Sequence, residues 1–149
     1  SYQIFQNEQF VAIYVEMIHD VRIIPIDGRP KLDDSIRQWN GDSRGYWDGD
    51  TLIVETRNFN RFTQSFGVYG TAENKLLTER FTRTGPYTVE YEFTVEDPAT
   101  FKDRITVMIP MSKVDGQLYE YACHEGNYGM INILRGERMT EQREAENSQ

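Results

Sequence analysis

The chain has 149 residues, a formal net charge of −8 and a pI near 4.8, a size that suits one domain around one core. Its 24 acidic residues outnumber 16 basic ones without any Lys/Arg run, which argues against nucleic acid and anionic membrane surfaces as partners and for a neutral or cationic small organic molecule. A single cysteine rules out an internal disulfide framework, and no apolar run approaches the ~20 residues of a membrane span.

Taken in chain order, strand signals dominate. FVAIYVEMIHDVRIIPI (10–26) is rich in β-branched and aromatic residues. On a regular strand, His19 would share a face with Val15, Met17 and Val21, as the end of an apolar stripe. PKLDDSIRQWNG (30–41) predicts a helical turn or two, with Asp33 or Asp34 as N-cap and Gly41 as the stop. YWDGDTLIVETRNF (46–59) predicts a hairpin turning at Asp48-Gly49. KLLTERFTRTGPYTVEYEFTVED (75–97) predicts a second, broken at Gly85-Pro86. Within it, Val89, Tyr91, Phe93 and Val95 alternate with Thr88, Glu90, Glu92, Thr94 and Glu96, the mark of one buried and one wet face. DRITVMIPMSKVDGQLYEYACHE (103–125) predicts a third hairpin turning at Asp115-Gly116, with Pro110 at an edge or bulge. The last segment, 130–149, reads as a short strand followed by a polar helix.

Roughly seven or eight antiparallel strands joined by short turns imply an all-β fold. Meander connectivity and the removal of exposed edges favour a closed antiparallel β-barrel, lipocalin-like or calycin-like in shape, with a short C-terminal helix or tail. The expectation is a single domain over 1–149. Tyr14 or Val15, with Val54, Phe81, Tyr91, Phe93, Val107 and Tyr121, would line a lumen able to hold one small molecule.

The chemistry-bearing residues cluster unevenly. Both the lone cysteine and one of the two histidines fall in YEYACHEGNYGM (119–130). Strand alternation sends His124 and Glu125 to opposite faces, so they converge only if the strand breaks near Gly126; together they would make an acid/base pair. Cys123 beside His124 resembles a thiol–imidazole pair, but adjacent strand residues diverge, and a buried inert thiol is the plainer reading. His19 is either a second lumen base or a buried histidine satisfied by one hydrogen bond. In WNGDSRGYWDGD (39–50), Asp42 and Arg44 form a candidate charge pair at a barrel mouth walled by Trp39 and Trp47. The alternative is a structural loop whose aspartates bond their own backbone. Tyr14, Tyr91, Tyr121 and Asn127 complete the candidate ligand contacts, since tyrosine offers a stacking face and a polar tip. His19 and His124 with Asp20, Asp42 or Glu125 could formally make a two-histidine, one-carboxylate metal site, but no HxH, HxxxH or CxxC spacing is present. No metal and no other cofactor are expected.

Two stretches carry a resemblance: GDSRGYWDGDTLIVETRNFN (41–60) and YEYACHEGNYGMINILRGER (119–138), supported by 15–30 and 79–98. They resemble the C-terminal part of a large family of exported bacterial proteins, abundant in environmental sequences and without an established activity. The resemblance implies a periplasmic or secreted location and an upstream region preceding Ser1. It assigns no catalytic residue.

Three functions follow from the residues. The first is a cofactor-free enzyme of isomerase, lyase or cyclase type acting by proton transfer on a small apolar or aromatic compound. His124 or His19 would be the base, Glu125 or Asp42 its partner, and Arg44, Asn127 or a tyrosine the stabiliser of developing charge. The second is a non-catalytic ligand- or glycan-binding module, and the third a structural domain of an exported protein. A homo-oligomer is among the expected states.

Overall fold

The computed structural model describes residues 1–122, 126 and 128–147, in two compact units, Ser1–Leu118 and Tyr119–Gln149. The first is built of antiparallel β-sheets. Strands β1 (Tyr2–Gln6), β2 (Phe10–Val15) and β3 (Asp20–Pro25) form one sheet in that order. Strands β4 (Asp42–Asp48), β5 (Thr51–Arg57), β8 (Leu76–Gly85), β9 (Thr88–Glu96) and β10 (Ile105–Ser112) form a second, ordered β10-β9-β8-β5-β4. A short ribbon, β6 (Gln64–Phe66) with β7 (Tyr69–Thr71), and a 3-10 turn (Ala72–Asn74) connect β5 to β8.

Turn chemistry fixes the hairpins. Asp48 pairs with Thr51, so the first hairpin turns on Gly49 and Asp50, one residue later than predicted. Gly49 takes the first loop position at φ 58, a conformation that favours glycine. The second hairpin turns on Pro86-Tyr87, with Gly85 opposite Thr88 and a register shift between Arg83 and Gly85. Among the described residues β10 pairs only with β9, which gives Pro110 the edge position that its missing N–H requires.

The core lies between the two sheets. Val11, Ile13 and Ile24 from the first pack against Leu52 and Val54 from the second, with Val15, Ile26 and Phe81 at their margin. β3 lies against β4 without a ladder: a Cβ on Gly45 would stand 3.0 Å from Ile24 Cγ2 and 2.9 Å from Ile26 Cγ2. Among the described residues no ladder joins β3 to β4 or β1 to β10.

Four expectations are corrected. Residues 30–41 form no helix. Their backbone groups find partners elsewhere: Asp42 Oδ2 accepts from the Leu32 amide (2.9 Å), Asn58 Nδ2 donates to the Asp33 carbonyl (3.0 Å), and Arg44 donates to the Pro30 carbonyl (2.9 and 3.0 Å). Asp33 closes a local turn on Ser35 rather than capping a helix. The third hairpin has only its first arm; residues 113–122 carry no strand. The C-terminal segment begins as helix, not strand, in α1 (Tyr128–Asn147), where the strong helix formers from Arg135 to Ala145 outweigh the β-branched residues before them. Finally, His19 sits outside the β2 stripe, because strand pairing ends at Val15–Asp20 and His19 closes the loop at φ 50.

The second unit is this helix and the segment before it. All described α1 residues are exposed, and no described helix is long and apolar enough to cross a membrane.

Candidate functional site

Period-two alternation puts every second side chain of the two sheets into the space between them. A cavity of about 430 Å³ opens there, inside the first unit. Its walls are mostly apolar: Ile4 from β1, Ile13 and Val15 from β2, Leu77 and Phe81 from β8, and Ile109 and Met111 from β10. A second cavity of similar volume shares Ile4, Ile13 and Phe81 with it and runs towards the β4–β5 turn.

Four charged side chains line the first cavity: Asp20, Arg22, Lys75 and Glu79. Glu79 is 3% exposed and is held from two directions. Arg22 reaches it from the opposite sheet, with Nη2 donating to Oε1 at 3.0 Å and lying 2.8 Å from Oε2. Tyr91, on the neighbouring strand, donates its hydroxyl to Oε1 at 2.8 Å. The Tyr91 ring stacks on Phe81, its register partner, with centroids 4.7 Å apart and planes inclined by 24°. The site is thus a buried carboxylate with a guanidinium and a phenol on it, set in an aromatic wall.

Burial pushes the Tyr91 phenol above its ordinary pKa, and the negative charge of Glu79 pushes it the same way. A group whose folded-state pKa is raised contributes stability below its unfolded value of 10.0, and that stability is lost as pH climbs above it. An alkaline titration followed at 295 nm should therefore show one tyrosine ionising only together with unfolding, read in parallel by circular dichroism. Tyr91→Phe should remove that one from the late step. Early ionisation of all nine tyrosines, before any loss of structure, would contradict this placement.

The residues singled out in the sequence are dispersed. Tyr91 and Trp39 line the first cavity, and Trp47 lines the second, so the two tryptophans do not flank one mouth. Asp42 and Arg44 form the expected ion pair but line neither cavity. Arg44 also donates to the Ser43 and Pro30 carbonyls, and Asp42 accepts from Leu32, so the pair staples the 30–32 segment to β4. Tyr14 lies on the face of β2 opposite Ile13 and Val15, where its hydroxyl meets His19 Nδ1 at 2.7 Å; neither residue lines a cavity. Val15, not Tyr14, faces the cavity from that strand. Tyr121 is exposed and belongs to the second unit. His124, Glu125, Asn127 and Cys123 lie outside the described residues. Among the described residues no three His, Cys, Asp or Glu side chains converge as metal ligands.

Sequence reading passed over Glu79, Arg22 and Lys75. A signal for the first two was present. In KLLTERFTR, Glu79 shares the inward phase with Leu77 and Phe81, and in DVRIIPI, Arg22 shares it with Ile24. Opposite charges in the apolar phase of two strands point to a buried pair.

Compared with protein-family models, curated proteins and solved structures, the chain matches none.

Proposed function

We propose that the Ser1–Leu118 unit is a small-molecule-binding domain that holds a compact, mainly apolar or aromatic organic molecule between its two sheets. The observation that carries this reading is the cavity of about 430 Å³, apolar over most of its wall and polar at one cluster. That volume falls within the range of roughly 300–1,000 Å³ typical of ligand sites. We also propose that the unit works as a barrel. The continuous strand order within each sheet and the close approach of β3 to β4 support that shape.

A second reading, a cofactor-free enzyme of isomerase, lyase or cyclase type, is favoured by the hydrogen bond from Tyr91 to Glu79 inside the cavity. A proton donor and acceptor already aligned in a mostly dry wall is the minimum that acid–base chemistry requires. In that reading Glu79 and Tyr91 replace His19 and Asp42 as the acting pair. The resemblance of 41–60 and 119–138 to exported bacterial proteins supports a periplasmic or secreted setting. A homo-oligomer belongs to the same proposal.

The neutral dye N-phenyl-1-naphthylamine tests the binding reading. Its fluorescence should rise on mixing with the wild-type chain. Ile109→Trp adds bulk to the cavity wall from the edge strand β10, where Ile109 is 44% exposed. It should weaken dye binding about tenfold, or about 1.4 kcal/mol. The melting temperature should stay within about 5 °C, since an edge position tolerates volume. A wild-type chain that leaves the dye dark has no such lumen and would leave the structural-domain reading.

A further inference from the structure

The fold treats the two cations of the cavity unequally. Arg22 commits Nη2 to both oxygens of Glu79. Lys75 makes no ion pair among the described residues. Its Nζ donates to the carbonyls of Ser65 (3.1 Å) and Gln64 (3.3 Å) and stands 4.2 Å from the centroid of the Phe59 ring. Burial pulls its pKa down, against the more distant pull of Asp97 and Glu79. A half-buried ammonium given neutral acceptors is stabilised by an anion placed beside it.

The acidic groups of the wall do not meet that demand. Glu79 is occupied by Arg22 and Tyr91. Asp20 is exposed, and its oxygens accept from Asn40 Nδ2 (2.6 Å) and from the Val21 amide (2.8 Å). Among the described residues Lys75 is thus the one half-buried charge of the cavity wall without an ion pair, although the chain as a whole carries −8. Phe59 stands beside it, and the same cavity presents further flat surfaces in Trp39 and the stacked Phe81–Tyr91 pair.

We infer that the ligand of this cavity is a flat apolar molecule bearing one carboxylate, and that Lys75 is the cation that receives the carboxylate. This rests on the binding proposal above and narrows it to a chemical class. Local charge decides the selection, because exposed acidic residues are screened within about 10 Å by salt, whereas a half-buried ammonium is not.

Two competitors of one shape separate the outcomes: 2-naphthoate and 2-naphthamide, each displacing bound N-phenyl-1-naphthylamine from the full chain. The carboxylate should displace the dye at concentrations at least about tenfold lower than the amide, about 1.4 kcal/mol of preference. Lys75→Gln should erase that ratio and Lys75→Arg should retain it. Bound dye with the amide equal to or better than the carboxylate overturns the inference and leaves the binding reading standing. Failure of the dye to bind at all removes the binding reading first. A ratio unchanged in Lys75→Gln overturns the role of Lys75. Should that variant not fold, Lys75→Met, which keeps the aliphatic stem and loses the charge, is read in its place, and a ratio unchanged there overturns the role of Lys75.

Discussion

Glu79→Ala is expected to destabilise the protein by about 3 kcal/mol and to lower its melting temperature by roughly 10–15 °C. Glu79 is 3% exposed and carries the contacts of both Arg22 and Tyr91. Truncating it leaves a guanidinium in a largely apolar wall without its counter-charge and a phenol without its acceptor. Removing one partner of a buried pair typically costs about 3–5 kcal/mol. The Arg22 side chain is 22% exposed, so water relieves part of that penalty and the lower end applies. Urea unfolding measures the loss. The double variant Arg22→Met, Glu79→Leu should recover most of it, because apolar residues of similar volume need no counter-charge. A single-variant loss below about 1 kcal/mol would mean that the pair is solvated, and the polar end of the cavity would have to be redrawn.

Gly41→Ala is expected to be about as severe, at roughly 2–5 kcal/mol, for a reason of shape rather than charge. Gly41 sits at φ +69, a left-handed conformation that costs an L-residue about 1–2 kcal/mol. A Cβ there would also stand 2.5 Å from the Arg57 carbonyl oxygen and 2.7 Å from Thr56 Cγ2. Neither neighbour yields easily: one is backbone, and Thr56 is fully buried with its hydroxyl 2.8 Å from that of Ser43. Overpacking of this kind adds about 1–3 kcal/mol. Gly49→Ala is the control. It shares the left-handed backbone, at φ +58, but no atom lies within 4 Å of its Cβ position. It should cost about 1–2 kcal/mol only. Equal losses at the two glycines would show that backbone conformation alone, and not the close approach at Gly41, is responsible.

The same contrast between local and distant neighbours separates what is legible in the sequence from what is not. The hairpins at 46–59 and 75–97 follow from signals within ten or so residues: a turn dipeptide flanked by alternating side chains. Segment 30–41 carries local signals for a helical turn or two, yet Asp42, Arg44 and Asn58 tie its first residues, Pro30, Leu32 and Asp33, out of a helix. Those partners come from elsewhere in the chain, where a local window carries no information about them. His19 departs from the stripe for a smaller reason: β2 pairing ends at Val15, four residues before it, and alternation does not extend past a paired strand.

Sequence alone determined that this is an antiparallel β protein, and it determined which phase of β9 turns inward, because pleat and turn preference are set by neighbours along the chain. The same alternation put Tyr91 on the inward phase, where it lines the cavity. Only the tertiary structure decided that Arg22, Lys75, Glu79 and Tyr91 line one cavity while Asp42 and Arg44 serve as a staple. The physical reason is that residues 57 positions apart, such as Arg22 and Glu79, meet through sheet packing, and a charge finds its partner by position in space.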